Sequence, residues 1–196
     1  MKRWDVINRL IKKNGYNRYL EIGFGDGDTF NLIKIDDKTG VDPDPDPSCD
    51  YEISSEEFFS YAKENDLGKF DIIFIDGNHN SSFVRNDVMS ALDMLSENGA
   101  IVMHDCNPTT EKMQRTDILV TDFWTGDVWK VFAEYRILRD DLYMYVVDTD
   151  FGCGVIQFGK QEKCDAEISD LTYEYFSKNK NKLMNIISVD KFKEVC

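Results

Sequence analysis

At 196 residues the chain has the length of one domain with a full core. Its 37 acidic against 23 basic residues leave a net charge of −14, which disfavours phosphate backbones and anionic membrane surfaces as partners. Five cysteines, Cys49, Cys106, Cys153, Cys164 and Cys196, are scattered and never in C-x-x-C spacing, which argues against a disulfide framework and a structural zinc site. Lys178, Lys180, Lys182, Lys191 and Lys193 make the C-terminal segment locally basic, in the manner of a solvated helix face. No run approaches the roughly 18 apolar residues of a membrane helix, and the basic start lacks the apolar core of a signal peptide. The expectation is a soluble, cytoplasmic protein with no nucleic-acid and no membrane partner; a homo-oligomer stays open.

In chain order, Trp4, Ile7, Leu10 and Ile11 fall at helical spacing and Gly15 supplies a stop, which predicts a leading amphipathic helix that covers the sheet. Tyr19, Leu20 and Ile22 form a short apolar strand that runs into Gly23, Gly25 and Gly27. Phe30, Leu32, Ile33 and Ile35 then predict a helix. A second strand closes at Asp42, because the Asp-Pro repeats that follow cannot continue a helix or a central strand; Asp44 and Asp46 read as turn residues. Residues 49–53 predict a third strand, and Ser54 with Glu57 a capping box that opens a helix to about Asn65.

Residues 70–76 form a near-continuous apolar run, as expected of a parallel strand buried on both faces. Val84, Val88, Ala91, Leu92 and Leu95 share a helical face, with Asn98 and Gly99 predicted as a left-handed cap. Residues 100–103 are the next buried strand. Thr109 to Thr121 is polar and reads as a lid, a helix runs through about Arg136, and strands at 142–147 and 154–158 are close enough for a hairpin. Leu171, Tyr175, Phe176, Leu183, Ile186 and Ile187 give a helical tail. Alternating strands and helices predict an α/β, Rossmann-like doubly wound and mostly parallel sheet with helices on both faces and a C-terminal β-hairpin.

In such sheets ligands bind beyond the carboxyl ends of the strands. That rule gathers Gly23 to Gly27, Asp42, Asp76 to His79 and His104 to Asn107 at one edge, including both histidines of the chain. The glycine spacing is G-x-G-x-G with Asp28 where a dinucleotide fingerprint has its last glycine. Glycines there let the backbone approach a ligand, while Glu21, Asp26 and Asp28 favour a cationic ligand over a pyrophosphate.

With Leu-Glu-Ile-Gly-Phe-Gly-Asp-Gly at residues 20–27, Phe-Ile-Asp-Gly-Asn-His at 74–79 and Gly-Ala-Ile-Val-Met-His-Asp-Cys at 99–106, the chain resembles the class I S-adenosylmethionine-dependent methyltransferases. The similarity is to the branch that holds catechol O-methyltransferase and the macrocin-type sugar O-methyltransferases, and it extends to about residue 158 through stretches similar to uncharacterised bacterial members. The resemblance implies one methyltransferase domain: a leading helix over 1–16, a Rossmann-like core over 17–159 and a helical tail over 160–196. It implies that Glu21, Gly23, Phe24 and Gly25 line the methionine part of the cofactor, Asp42 the ribose, and residues near Ser55 and Gly77 the adenine, with Asp76 also among the cofactor-binding residues. Ser54 and Ser55 are, on their residues alone, helix-capping positions.

The resemblance further implies His79 as general base, with Asp76 and Asp105 as ligands of Mg²⁺. For a third ligand three readings stand: His104 replaces a carboxylate, Asn107 reaches the ion, or the metal has been lost. The implied reaction is methylation of a small hydroxylated substrate such as a sugar, with residues between Thr109 and Trp124 choosing it and Trp124 or Trp129 as walls. Two other readings remain open. Asp76, His79, His104 and Asp105 could make a metal-dependent hydrolase, and the fold could persist as a non-catalytic cofactor-binding module.

Overall fold

The apolar and amphipathic stretches resolve, in a computed structural model that describes residues 1–44, 48–117 and 124–196, into a mixed sheet clothed by helices on both faces. In chain order the elements are α1 (Arg3–Asn14), β1 (Arg18–Ile22), β2 (Asp37–Val41), α2 (Ser55–Glu64), β3 (Phe70–Ile75), α3 (Ser81–Met94) and β4 (Leu95–Met103). They continue with α4 (Val128–Leu138), β5 (Leu142–Val147), β6 (Cys153–Phe158), α5 (Tyr173–Met184), β7 (Ile186–Ile187) and α6 (Val189–Val195). Among the described residues the sheet has seven strands, ordered β2-β1-β3-β4-β6-β5-β7. The first four run parallel; β6 is antiparallel to both neighbours, closing the expected hairpin with β5.

Side chains alternate across each strand, and both faces find cover. Ile72 and Phe74 of β3 pack with Val6, Ile7, Leu10 and Ile11 of α1 and with Phe192 of α6, whereas Ile73 and Ile75 pack with residues of α2, α3, α4 and α5. This two-sided burial is why β3 and the end of β4 read as unbroken apolar runs. The leading helix ends as expected, on Gly15 at φ 69°, whose N–H donates to the Ile11 carbonyl.

Four local expectations are corrected. After the glycine loop there is only a single 3-10 turn, Phe30–Leu32, where a helix was expected. Asn8 of α1 explains this, since its side chain accepts from the Lys34 N–H at 2.8 Å and donates to the Leu32 carbonyl at 2.9 Å, pairing backbone groups that a helix would have paired. Residues 49–53 do not form a strand: Tyr51 makes an isolated parallel bridge with Val41. Asn98 and Gly99 do not cap α3, which gives way at Met94 directly to β4. Gly99 instead serves close approach, because a Cβ there would lie 2.8 Å from the Asp71 carbonyl oxygen, where the β3–β4 register shifts. Finally the tail is not only helical: Ile186 and Ile187 add a short parallel strand beside β5. Asp46 and residues 118–121 of the expected lid lie outside the described residues.

Parallel pairing brings the carboxyl ends of β1, β2, β3 and β4 to one edge, and the β5–β6 turn arrives at the same edge. No helix among the described residues is long and apolar enough to cross a membrane.

Candidate active site

The glycine loop leaves β1 with Gly23 at φ 91°, Gly25 at 54° and Gly27 at 78°, a region that costs side-chain-bearing residues energy. At Gly23 the reason is steric as well: a Cβ would lie 2.3 Å from the Asp76 carbonyl oxygen and 2.5 Å from the Gly77 nitrogen. The loop is therefore clamped against the end of β3. A Cβ on Gly25 would meet nothing within 4 Å, so the loop faces open space there. Its N–H donates to Asp42 Oδ2 at 2.9 Å, which fixes the acid that closes β2 beside the loop.

That space is a cleft of about 360 Å³ lined by Glu21, Gly23, Phe24, Gly25, Asp76 and His79, among others. Glu21 is almost fully buried and accepts a hydrogen bond from the Tyr19 hydroxyl. Burial pushes its carboxyl up to about 8, against the opposing effect of the Tyr19 hydrogen bond and with help from the Asp76 charge. Glu21 is thus a neutral acid at pH 7.

At the centre, His79 and His104 each meet both carboxylates, Asp76 and Asp105. His79 Nε2 lies 3.4 Å from Asp76 Oδ1, and its Nδ1 lies 3.2 Å from Asp105 Oδ2. His104 Nδ1 is 3.2 Å from a carboxylate oxygen of both Asp76 and Asp105. Burial opposes the charged form of Asp76, but the two imidazoles outweigh it and hold the carboxyl at about 2. Burial also opposes a charge on His104, and its carboxylate neighbours outweigh it, raising the imidazole to about 11. His79 is raised as well, burial being overcome by the Asp76 hydrogen bond and the charges of Asp105 and Asp76. Asp105 holds its place with a left-handed backbone, φ 59°, an uncommon conformation for a non-glycine residue.

Ligand atoms of Asp76, His79 and Asp105 all lie within 4.8 Å of one another, a set able to hold a cation. His104, the imidazole expected in that set, packs behind it on the same two carboxylates. The buried Nδ1 of His79 has no hydrogen-bond partner among the described residues. Asn107 turns away, its amide donating to Asp148 at 3.1 Å and accepting from Lys180 at 3.1 Å.

Of the other expected residues, Ser54 caps α2 with Glu57 as its capping-box partner. Ser55 hydrogen-bonds Asp87 and is not among the residues lining the cleft; Gly77 sits behind Gly23. Trp124 walls the cleft, stacked on His79, while Trp129 is core. Sequence reasoning missed Arg3, Thr29 and Phe151, which also line it. Only the odd run Asp148-Thr-Asp-Phe-Gly152, compressed between two strands, hinted at the last. A larger cavity of about 730 Å³ lies between α2 and α3, away from this edge.

Residues 20–106 match the model of a family described as a methyltransferase domain, and these are the residues that carry the glycine loop, Asp42, Asp76, His79, His104 and Asp105. Over that stretch the chain is similar to methyltransferase domains. No curated protein matches the sequence. Among solved structures, an O-methyltransferase from Bacillus cereus in complex with SAH superposes with a TM-score of 0.59 at 12% identity, covering 79% of each chain. The O-methyltransferase TomG of Streptomyces achromogenes, involved in tomaymycin synthesis and solved with SAM, gives 0.52 at 15%, covering 80% of this chain and 79% of that one. MycE of the mycinamycin pathway, solved with Mg, SAH and mycinamycin VI, gives 0.53 at 16%, covering 82% of this chain and 50% of that one. These likenesses are of fold, a Rossmann-like mixed sheet.

Proposed function

We propose that the protein transfers the methyl group of S-adenosylmethionine to a hydroxyl of a small substrate, such as a sugar, in the cleft at the strand ends. The observation that carries this is the meeting, at one edge, of an open glycine loop fixed by Asp42 with an imidazole, His79, set between two carboxylates. The cradle fits the cofactor: Gly25 leaves room for it, Asp42 suits a ribose hydroxyl pair, and the acidic lining suits an ammonium and a sulfonium.

A hydroxyl with a pKa far above neutrality is a poor nucleophile, so it needs a base near its proton. With S-adenosylmethionine bound, His79 would take that proton as the hydroxyl oxygen attacked; the cofactor would supply the methyl group and keep the carbon–sulfur electron pair as its thioether. Trp124 holds the imidazole plane, and Asp76 and Asp105 stabilise the imidazolium that forms. The remaining contribution is alignment of oxygen, methyl and sulfur.

Asp76 and Asp105 also fit a divalent cation, with a nitrogen from His79 or His104 completing the set. Such a cation lowers the pKa of a hydroxyl bound to it. An imidazole in the set favours a transition-metal dication over Mg²⁺, which prefers oxygen. A His79 nitrogen committed to the cation cannot also take the hydroxyl proton, so the two roles are separable. His79→Ala is expected to lose turnover over a hydroxyl-substrate panel while keeping cofactor and cation binding. Loss of cation binding with retained turnover would instead make His79 a ligand. The hydrolase alternative is not favoured, since the methyltransferase match runs through all four of its residues and through the glycine loop it leaves without a purpose.

A further inference from the structure

The cleft is lined by Glu21, Asp26, Asp28, Asp76 and Asp105 in a chain of net charge −14. An amino-acid moiety brought into it carries a carboxylate as well as an ammonium, and that carboxylate is repelled wherever it is not beside a cation. Among the described lining residues, the guanidinium is that of Arg3. The two imidazoles are already engaged, His79 by Asp76 and Asp105 and His104 by Asp76, Asp105 and the Arg3–Asp150 pair.

Arg3 is held at the cleft by an arrangement extending beyond its own helix. Its Nε donates to Thr29 Oγ1 at 2.9 Å and its Nη1 to Asp150 Oδ2 at 3.2 Å. Asp150 also accepts the Arg3 backbone N–H at 3.1 Å and Lys2 Nζ at 2.8 Å, and Thr149 Oγ1 donates to the Met1 carbonyl at 2.5 Å. Asp150 and Phe151, at φ 49° and 59°, are consecutive left-handed non-glycine residues in the β5–β6 turn. That costly turn puts the Asp150 carboxylate, 2% exposed, under the start of α1. Lys2 and Arg3 together bring two positive charges to this one carboxylate, and Arg3 Nε also lies 3.6 Å from Asp76 Oδ2, so the guanidinium bridges the turn and the cleft. No hydrogen bond occupies Arg3 Nη2 among the described residues.

We propose that Arg3 is the carboxylate-binding residue of the cleft, its open Nη2 edge taking the carboxylate of the methionine moiety of the cofactor; this rests on the adenosylmethionine reading above. Glu21 and the exposed acids would then serve the ammonium end, so that the zwitterion is read with one orientation.

The test compares S-adenosylmethionine with its decarboxylated analogue, which keeps the sulfonium and the amine, by calorimetric titration of the wild-type chain, Arg3→Met and Arg3→Lys. The wild type should prefer the carboxylate-bearing ligand by about 10- to 100-fold, the range of a charge-assisted hydrogen-bonded pair. Arg3→Met should erase that preference and Arg3→Lys retain part of it. Because the readout is a ratio within each protein, a general loss of stability cancels. Binding of 5′-methylthioadenosine, which lacks the whole amino-acid tail, reports that the cleft is folded. Should Arg3→Met fail that control, Arg3→Lys decides, a preference at least threefold below wild type supporting the assignment and an unchanged one overturning it. A preference that survives in folded Arg3→Met, or a wild type that binds both ligands equally, overturns the proposal while leaving the cofactor reading intact. A wild type that binds neither overturns the cofactor reading itself.

Discussion

Trp124 lies flat against His79, the ring centroids 4.7 Å apart and the planes inclined by 22°. The stack fixes the plane of the proposed base while its ring nitrogens face Asp76 and Asp105. Removing the indole frees the imidazole to rotate away from the hydroxyl without touching the glycine loop. Trp124→Ala should therefore lower kcat by about 10- to 100-fold, the scale of small misplacements of a catalytic group. Cofactor affinity should change little. Steady-state kinetics with a parallel binding titration check this, and equal losses in both would show Trp124 to be a cofactor contact instead.

Gly23 cannot accept a side chain. A Cβ there would overlap the Asp76 carbonyl, and the φ of 91° is strained for any other residue. Gly23→Ala should lose about 2–4 kcal/mol of stability through clash and strain together, and lose cofactor binding as the loop is displaced. Gly25→Ala, with nothing within 4 Å of its Cβ, should cost about 1 kcal/mol. Thermal melts of the two variants would show the difference in order, and equal costs would contradict the clamp.

Glu21 ties cofactor binding to pH. Its carboxyl titrates at about 8, above the ordinary 4.5, so it is protonated at neutral pH in the unliganded protein. A cationic ligand beside it favours the ionised form, so binding near pH 7 should release a proton. Affinity should rise with pH, by up to tenfold per unit, and level off above about 8. Calorimetry in buffers of different ionisation enthalpy measures the proton directly. Glu21→Gln should abolish both the release and the slope.

Asp87 carries a stability prediction away from the site. Burial raises its carboxyl from 3.8 to about 6, only partly offset by the Ser55 hydrogen bond. The folded state keeps this proton after the unfolded state has lost it, so the stabilisation is complete below 3.8 and is lost as pH rises to about 6. Asp87→Asn should remove that loss and be more stable than wild type at pH 7, by on the order of 2–3 kcal/mol. The two proteins should converge below pH 4. Denaturant unfolding at both pH values tests this, and a variant less stable at pH 7 would contradict it.

The sequence carried the parts of the site that depend on local pattern. The runs read at 70–76 and 142–147 correspond to the strands Phe70–Ile75 and Leu142–Val147, because burial on both faces writes itself into near-continuous apolar runs. Gly23 and Gly25 were legible because positive φ and close approach leave glycine as the fitting residue. What failed depended on partners distant in the chain. The helix expected after the glycine loop gives way to one 3-10 turn because Asn8 claims its backbone groups. Arg3 was read as part of an amphipathic helix, and its place in the cleft depends on Asp150, 147 residues away. Gly99 looked like a helix cap and is a close-packing glycine against Asp71.

The most direct test of the account is calorimetric titration of the purified chain with SAH, alongside Gly23→Ala, with and without EDTA. The account predicts one binding site per wild-type chain, occupied whether or not the cation is removed, and no binding by the variant. Absence of binding by the wild type, or binding undiminished in a folded Gly23→Ala protein, would contradict it.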